Sequence, residues 1–297
     1  MSRVQANLLL LIAGAIWGAG FIAQSTAMET LGPLWFIGLR FAVATLVAVP
    51  FALFETSRAT VSLKRPHLGG FILTGLALFA AAATQQIGLL TTTVTNSGFL
   101  TGLYVVFTPV LTVIFLRRKP HWIIWPAAAM ATFGIFLLSG GHLAALSTGD
   151  MLTIACAVLW SVQMIFVGIY AGRSGRPMAL SLAQFAVCAV LGCAAGALFE
   201  PISLDAISGA LPEILYAGFF SSGIAFICQN VAQRYTSAPQ AAIFLSSEAL
   251  FAALFGVLLL GETISPVGYI GCAVIFVAML AVELVPELTK SRRARAA

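Results

Sequence analysis

Residues 66–116 read PHLGGFILTGLALFAAAATQQIGLLTTTVTNSGFLTGLYVVFTPVLTVIFL, 51 positions without an Asp, Glu, Lys or Arg. Wound as one helix they would extend about 75 Å, more than twice the hydrocarbon thickness of a bilayer. The stretch therefore reads as two membrane-crossing helices joined by a turn. The polar cluster Thr91, Thr92, Thr93, Thr95 and Asn96 predicts where that turn falls, because its side chains compete with the backbone for hydrogen bonds.

Working outward, uncharged apolar runs of about 20 residues recur along the chain. Ten are found: Leu8–Ala27, Leu34–Phe54, Leu68–Leu90, Thr93–Leu116, His121–Leu138, Met151–Ala171, Pro177–Phe199, Ile214–Gln233, Ala238–Leu260 and Ile264–Val282. Only Arg40 and Glu248 place a charge inside a run. Gly140-Gly141-His142 marks one cut, and Arg234 with Pro239 another. Of the 297 residues 60% are hydrophobic and 8% charged, which excludes a water-soluble surface. A β-barrel would show strands of about ten residues alternating polar and apolar, whereas these runs are continuously apolar. Arg3, the run from Leu8 and the small residues Ser25-Thr26-Ala27 have the outline of a signal peptide. That segment has a counterpart later in the chain and is read as the first span.

Counting Lys and Arg on alternate sides gives the orientation, since positive charges stay cytoplasmic. One set of connections holds Arg3, Arg58, Lys64, Arg65, Arg117, Arg118, Lys119, Arg173, Arg176, Arg234, Lys290, Arg292, Arg293 and Arg295; the opposite set holds none. Both termini are thus expected in the cytoplasm, with Glu29, Asp150, Glu200, Asp205, Glu213 and Glu262 facing outward. The basic tail reads as a topology and lipid-headgroup anchor rather than a nucleic-acid patch. Cys156, Cys188, Cys193, Cys228 and Cys272 lie inside apolar runs without CxxC spacing, and His67, His121 and His142 sit at span ends. Neither a disulfide framework, a metal site nor a cofactor is indicated.

The chain repeats itself. Trp17 in Gly14-Ala-Ile-Trp-Gly18 aligns with Trp160 in Ala157-Val-Leu-Trp-Ser161, and Gln86 with Gln229, both at an offset of 143. Pro33 aligns with Pro177, and Arg40-Phe41 with Gln184-Phe185, at 144. The reading is residues 1–143 as one five-helix repeat and 144–297 as a second, ending in the basic tail. An odd number of spans per repeat makes the second enter the membrane from the opposite side, so the fold class is an all-α integral membrane protein of ten helices in two inverted five-helix repeats. Such halves suit alternating access to a site between them. Gly14/Gly18, Gly98/Gly102 and Gly192/Gly196 have the small-residue spacing of close helix packing.

Trp17 and Trp160, Thr108-Pro109-Val-Leu-Thr112, and Ser247-Glu248-Ala-Leu-Phe followed by Leu260-Gly261-Glu262-Thr263 resemble the EamA-type members of the drug/metabolite transporter superfamily over nearly the whole chain. Within it the sequence looks most like the YddG-type exporters of aromatic amino acids. Outward transport is what that resemblance implies. The family pattern usually has Pro after the Glu of the ninth span and a Gly-Glu pair after the fourth; Ala249 and Arg117-Arg118-Lys119 stand there instead.

Polar groups within spans are costly and usually face a cavity or another helix. Here they are mostly amides: Gln24, Gln85, Gln86, Gln163, Gln184, Gln229, Asn230 and Gln233. Aromatics share helical faces with them, as in Trp17, Phe21 and Gln24, in Trp160 and Gln163, and in Phe79 and Gln86, while Thr101, Tyr104 and Thr108 form a further face. The expected cavity lining is Trp17, Phe21, Gln24, Phe79, Gln86, Tyr104, Trp160, Gln163, Gln229 and Ser247. Rings would stack on a substrate and amides hold its polar head. Glu248 admits two readings, a protonatable coupling site or an interhelical hydrogen bond. Arg40 reads as snorkelling toward the surface or neutralising a carboxylate.

No Gly-x-Ser-x-Gly elbow, His-Glu-x-x-His or P-loop supports catalysis, so no enzyme is expected. The expectation is an inner-membrane secondary carrier, sufficient as a monomer among membrane lipids, exporting neutral metabolites such as aromatic amino acids. The alternative is proton-coupled efflux of lipophilic or cationic drugs, kept open by Glu248.

Overall fold

The computed structural model describes residues 1–59, 62–92, 94–138, 147–260 and 263–296. Thr93, the expected cut at Gly140-Gly141-His142 and outward-facing Glu262 lie outside the described residues, as do the side chains of Thr95, Asn96, Lys290, Arg292, Arg293 and Arg295.

All regular structure among the described residues is helical. The first three spans are α1 (Arg3–Ala27), α2 (Pro33–Ser57) and α3 (Arg65–Gly88). The fourth is α4 (Val94–Thr101) with α5 (Tyr104–Leu116), and the fifth is α6 (Ile124–Leu138). In the second half come α7 (Thr148–Ser174), α8 (Pro177–Phe199) and a short α9 (Leu204–Gly209). The eighth span joins α10 (Leu211–Tyr216), a π-helical stretch Ala217–Ile224 and α11 (Ala225–Ala232). The ninth is α12 (Ala238–Leu245) with α13 (Ser247–Leu260), and the tenth is α14 (Pro266–Ala296). Nine of these spans are long and apolar enough to cross a membrane; α6 is apolar but shorter. The fifth span starts later than its hydropathy suggested, because His121, Trp122 and Ile123 form a turn ahead of α6.

Local chemistry explains the helix starts. Ser2 and Gln5 make a capping box at α1, Ser147 and Asp150 another at α7, and Ser237 caps α12. Pro33 and Pro177 open α2 and α8, where a missing N–H costs nothing. Gly175, at φ 66°, ends α7 in the left-handed conformation.

Three runs expected as unbroken helices are discontinuous. The fourth breaks at Gly102-Leu103 and the ninth at Ser246, whose hydroxyl donates to the Ile243 carbonyl at 2.7 Å. These breaks differ by the same offset as the tryptophans, so they occupy equivalent places in the two halves. The eighth span widens into its π-helix around Gly218 and Ser221-Ser222-Gly223. Apolar patterning does not reveal such breaks, because the runs stay apolar on average across them.

Helices α2 and α8 pack against each other along their lengths, and the end of each caps the start of the other. The Glu55 carboxylate, late in α2, accepts from the backbone N–H groups of Met178 and Ala179 at 3.0 Å and pairs with Arg176 at 3.2 Å. The Glu200 carboxylate, just past α8, accepts from Leu34 N–H at 2.9 Å and Trp35 N–H at 3.0 Å. The two helices are therefore antiparallel. Their axes approach at Gly38 and Gly192, where a Cβ on either would collide with the other's backbone.

The other main packings pair α3 with α7, the eighth span with α1, and α6 with α14. Spans four and nine pack on α7 and α1 respectively. Exchanging the halves maps this pattern onto itself. Gly14 and Gly18 let α1 settle on the start of α13, since a Cβ on Gly18 would meet the Glu248 carbonyl oxygen at 2.7 Å. Gly98 instead faces open space, so the close packing expected of Gly98/Gly102 does not extend to it.

Candidate functional site

The breaks in spans four and nine meet at one cavity. Tyr104, the first residue of α5, and Glu248, the second of α13, both line it, and the tyrosine hydroxyl donates to Glu248 Oε1 at 3.0 Å. Trp17, Phe21 and Gln24 reach it from α1, Arg40 from α2, Gln85 from α3 and Thr101 from the end of α4. Trp160 and Met164 complete the wall from α7, with Ser221 and Phe226 from the eighth span. Its free volume is about 50 Å³, room for a few waters.

Three rings form its aromatic face. Phe226 lies 4.8 Å from Trp17 and stacks on Trp160 at 5.5 Å, centroid to centroid. The Trp17 indole N–H donates to the Ser221 carbonyl at 2.9 Å, a group within the π-helical stretch. The ring that could lie on a flat ligand is thus fixed by a backbone oxygen of the opposite half.

Both halves match one and the same family: the EamA-like transporter family is found over residues 4–140 and again over 147–284. The chain belongs to the EamA-like transporter family. An uncharacterized transporter of Archaeoglobus fulgidus is 29% identical over 96% of this chain and 87% of its own length. The uncharacterized inner membrane transporter YedA of Escherichia coli is 27% identical over 91% of this chain and 87% of its own. A probable amino-acid metabolite efflux pump of Escherichia coli is 31% identical over 61% of this chain and 59% of its own. A solved crystal structure at 19% identity superposes with a TM-score of 0.79, covering 96% of this chain and 98% of that one, and so shares the fold.

In this EamA-like transporter the residues expected to line a cavity divide into two groups. Trp17, Phe21, Gln24, Tyr104 and Trp160 stand on the cavity wall together with Glu248 and Arg40. Gln86, Gln163, Gln229, Phe79 and Ser247 are off it. Gln86 Nε2 donates to the Gln24 carbonyl at 3.1 Å, stitching α3 to α1. Gln163 donates to Gln184 at 3.1 Å and accepts from Gln229 at 3.3 Å; Gln229 also donates to Gln233, which reaches the Met164 carbonyl. These amides tie α7, α8 and α11 together. Phe79 is half-buried against the hydrophobic cluster to which Phe41, Phe185 and Phe226 belong, and Ser247 is buried where Gly14 meets α13.

Arg40 does not snorkel. It is 5% exposed, its Nη1 donates to Gln24 Oε1 at 3.0 Å, and its guanidinium carbon lies 5.3 Å from the Phe36 ring centre and 5.1 Å from that of Phe41. It turns inward to Gln24 of α1 and stands on the cavity wall, and sequence position alone gave no sign of that. Arg40 and Glu248 share the cavity without forming an ion pair among the described residues. Met164, Ser221 and Phe226 were not anticipated. Ser221 contributes a backbone carbonyl, which no side-chain pattern announces, and Phe226 has Ala83 at the equivalent place in the first half. Among the described residues no three His, Cys, Asp or Glu side chains gather as metal ligands, and the five cysteines are free.

Proposed function

We propose that this EamA-like transporter is a bacterial inner-membrane secondary carrier exporting small neutral metabolites, aromatic or other neutral amino acids above all, as YddG-type exporters do. One observation carries the reading: a cavity with an aromatic face and convergent amides sits where the interrupted helices of both halves meet. Interrupted helices at a repeat interface are the usual setting of carrier sites, because freed backbone groups and wide side-chain spacing leave room for a solute. The probable amino-acid metabolite efflux pump among the relatives points to the same substrate class.

The halves are read as inverted repeats, residues 1–143 and 144–297, with both termini cytoplasmic. The antiparallel α2–α8 pair and the packing that survives exchange of the halves support this, and the distribution of basic residues sets its direction. Alternating access follows from each half taking up the conformation of the other. A monomer encloses the whole pathway.

Counterflow tests the reading. Liposomes holding the purified transporter, preloaded with unlabelled phenylalanine, tryptophan or threonine, receive the labelled form outside. Transient accumulation that saturates with concentration is expected for the aromatic acids. No accumulation of any amino acid by folded protein overturns the substrate class.

A second reading, proton-coupled efflux of lipophilic or cationic drugs, is favoured by one feature, the Glu248 carboxylate on the cavity wall. Drug accumulation driven by a pH gradient and lost in Glu248→Gln, with no amino-acid counterflow, would select it.

A further inference from the structure

We infer that Arg40 is the anion receptor of the cavity, so that a ligand must carry a carboxylate or an equivalent anionic group; the inference rests on reading this cavity as the substrate site. Two arginines are buried in the described structure, and they differ in kind. Arg176 is ion-paired with Glu55. Among the described residues Arg40 has no carboxylate partner: Nη1 is bonded to a neutral amide, Nε is buried with no hydrogen-bond partner there, and two phenyl rings flank the guanidinium.

A buried cation of this kind is expensive. Cation–π contacts and one amide oxygen replace only part of its hydration, whereas a bound anion would neutralise it. The guanidinium is a planar fork that matches a carboxylate through two parallel hydrogen bonds. It opens on the same space as Trp17, Trp160 and Phe226, which offer faces for a flat apolar body. Glu248, the other charge on this wall, is already engaged by Tyr104. The complementary ligand is therefore a small carboxylate with an aromatic or apolar body, amino acids included, and an amine lacking the carboxylate is excluded.

Two analogues of phenylalanine separate the charges: 3-phenylpropionate keeps the carboxylate and 2-phenylethylamine keeps the amine. Each is tested as a competitor of phenylalanine counterflow and, independently of flux, for its shift of the unfolding temperature of purified transporter. The carboxylate is expected to act at about tenfold lower concentration than the amine, the equivalent of about 1.4 kcal/mol. Arg40→Gln should abolish that preference, while Arg40→Lys retains part of it. Because the native cation is uncompensated, Arg40→Gln should fold with an unchanged or higher unfolding temperature; a large fall with the preference intact would make Arg40 a scaffold residue and overturn the inference. Equal action of the two analogues on wild type would overturn it as well. If phenylalanine is not carried but 3-phenylpropionate still stabilises wild type and not Arg40→Gln, the amino-acid reading fails and the receptor stands. Stabilisation by neither compound overturns the receptor.

Discussion

The Tyr104 hydroxyl donates to Glu248 Oε1 at 3.0 Å across 144 positions of sequence, and so joins the breaks of two helices that stand at equivalent places in the two halves. Each break lets a side chain point where a continuous helix would place a different face. The bond spans the two halves and both its partners stand on the cavity wall; if the halves part during transport, as proposed, it acts as a latch between them.

Removing the latch should cost a modest amount of stability and a larger amount of function. Interhelical hydrogen bonds in membranes contribute about 0.5–2 kcal/mol, so Tyr104→Phe is expected to lower unfolding stability in micelles by about 1 kcal/mol. Glu248→Gln still accepts from the hydroxyl and should lose less. The double variant should fall short of the summed single losses by at least about 0.5 kcal/mol, the sign of direct coupling. Additivity within experimental error would mean that the two residues do not depend on each other in the membrane.

Reciprocal capping of α2 and α8 makes a prediction about a different interface. Glu55→Gln and Glu200→Gln each weaken a charged cap on the other helix, an effect of about 1–2 kcal/mol at a partly buried helix N-terminus. The caps sit at opposite ends of α8, about 35 Å apart along 23 residues, too far to share partners. Their effects should add, and Glu55→Gln should be the worse because Arg176 also loses its ion-pair partner. Unfolding curves of the two singles and the double check this; strong non-additivity would show that the caps act through a common element.

Close approach at the same interface leaves no room for a methyl group. A Cβ on Gly38 would lie 2.6 Å from Cys193 N and 2.9 Å from the Gly192 carbonyl carbon, backbone atoms that cannot step aside singly. Gly38→Ala is expected to destabilise by about 1–3 kcal/mol, the usual cost of overpacking. Gly172→Ala, where nothing lies within 4 Å of the added carbon, should be neutral or slightly stabilising. Equal unfolding temperatures for the two variants would contradict the α2–α8 geometry.

Hydropathy made most helix ends legible to within about five residues, because an apolar run of bilayer length has one economical structure, but α14 continues from Val282 to Ala296, since the polar end of a helix carries no hydropathy signal. The 143-residue offset of Trp17 and Trp160 pointed to the duplication, and the family match over two segments repeats it. The cavity was legible in part. Trp17, Phe21 and Gln24 share one face of α1, and a helical face is a property of spacing. What escaped was anything fixed by backbone irregularity or by the partner helix. The break at Ser246 turns Glu248 toward Tyr104, the π-helix offers the Ser221 carbonyl to Trp17, and the orientation of Arg40 depends on Gln24 standing across from it. Gln163 and Gln229 carry the same chemistry as Gln24, and only the packing tells a network amide from a cavity amide.

That distinction can be measured. Gln163 is buried between Gln184 and Gln229, so Gln163→Leu takes the donor from Gln184 Oε1 and the acceptor from one N–H of Gln229, which keeps its bond to Gln233; the expected loss is about 1–3 kcal/mol in stability. It removes nothing from the cavity wall, and the concentration for half-maximal counterflow should stay within about twofold of wild type, an energy change near RT ln 2. Trp160→Ala acts in the opposite sense. Its ring stacks on Phe226 at the wall, and its loss opens a hole that a substrate ring would otherwise cover. Apparent affinity for an aromatic substrate should fall about tenfold, in line with the 0.5–1.5 kcal/mol of an aromatic pair added to lost apolar burial. If Gln163→Leu weakens apparent affinity as much as Trp160→Ala does, in protein of equal unfolding temperature, then the amide network reaches the substrate and the cavity extends further toward α8 than its wall indicates.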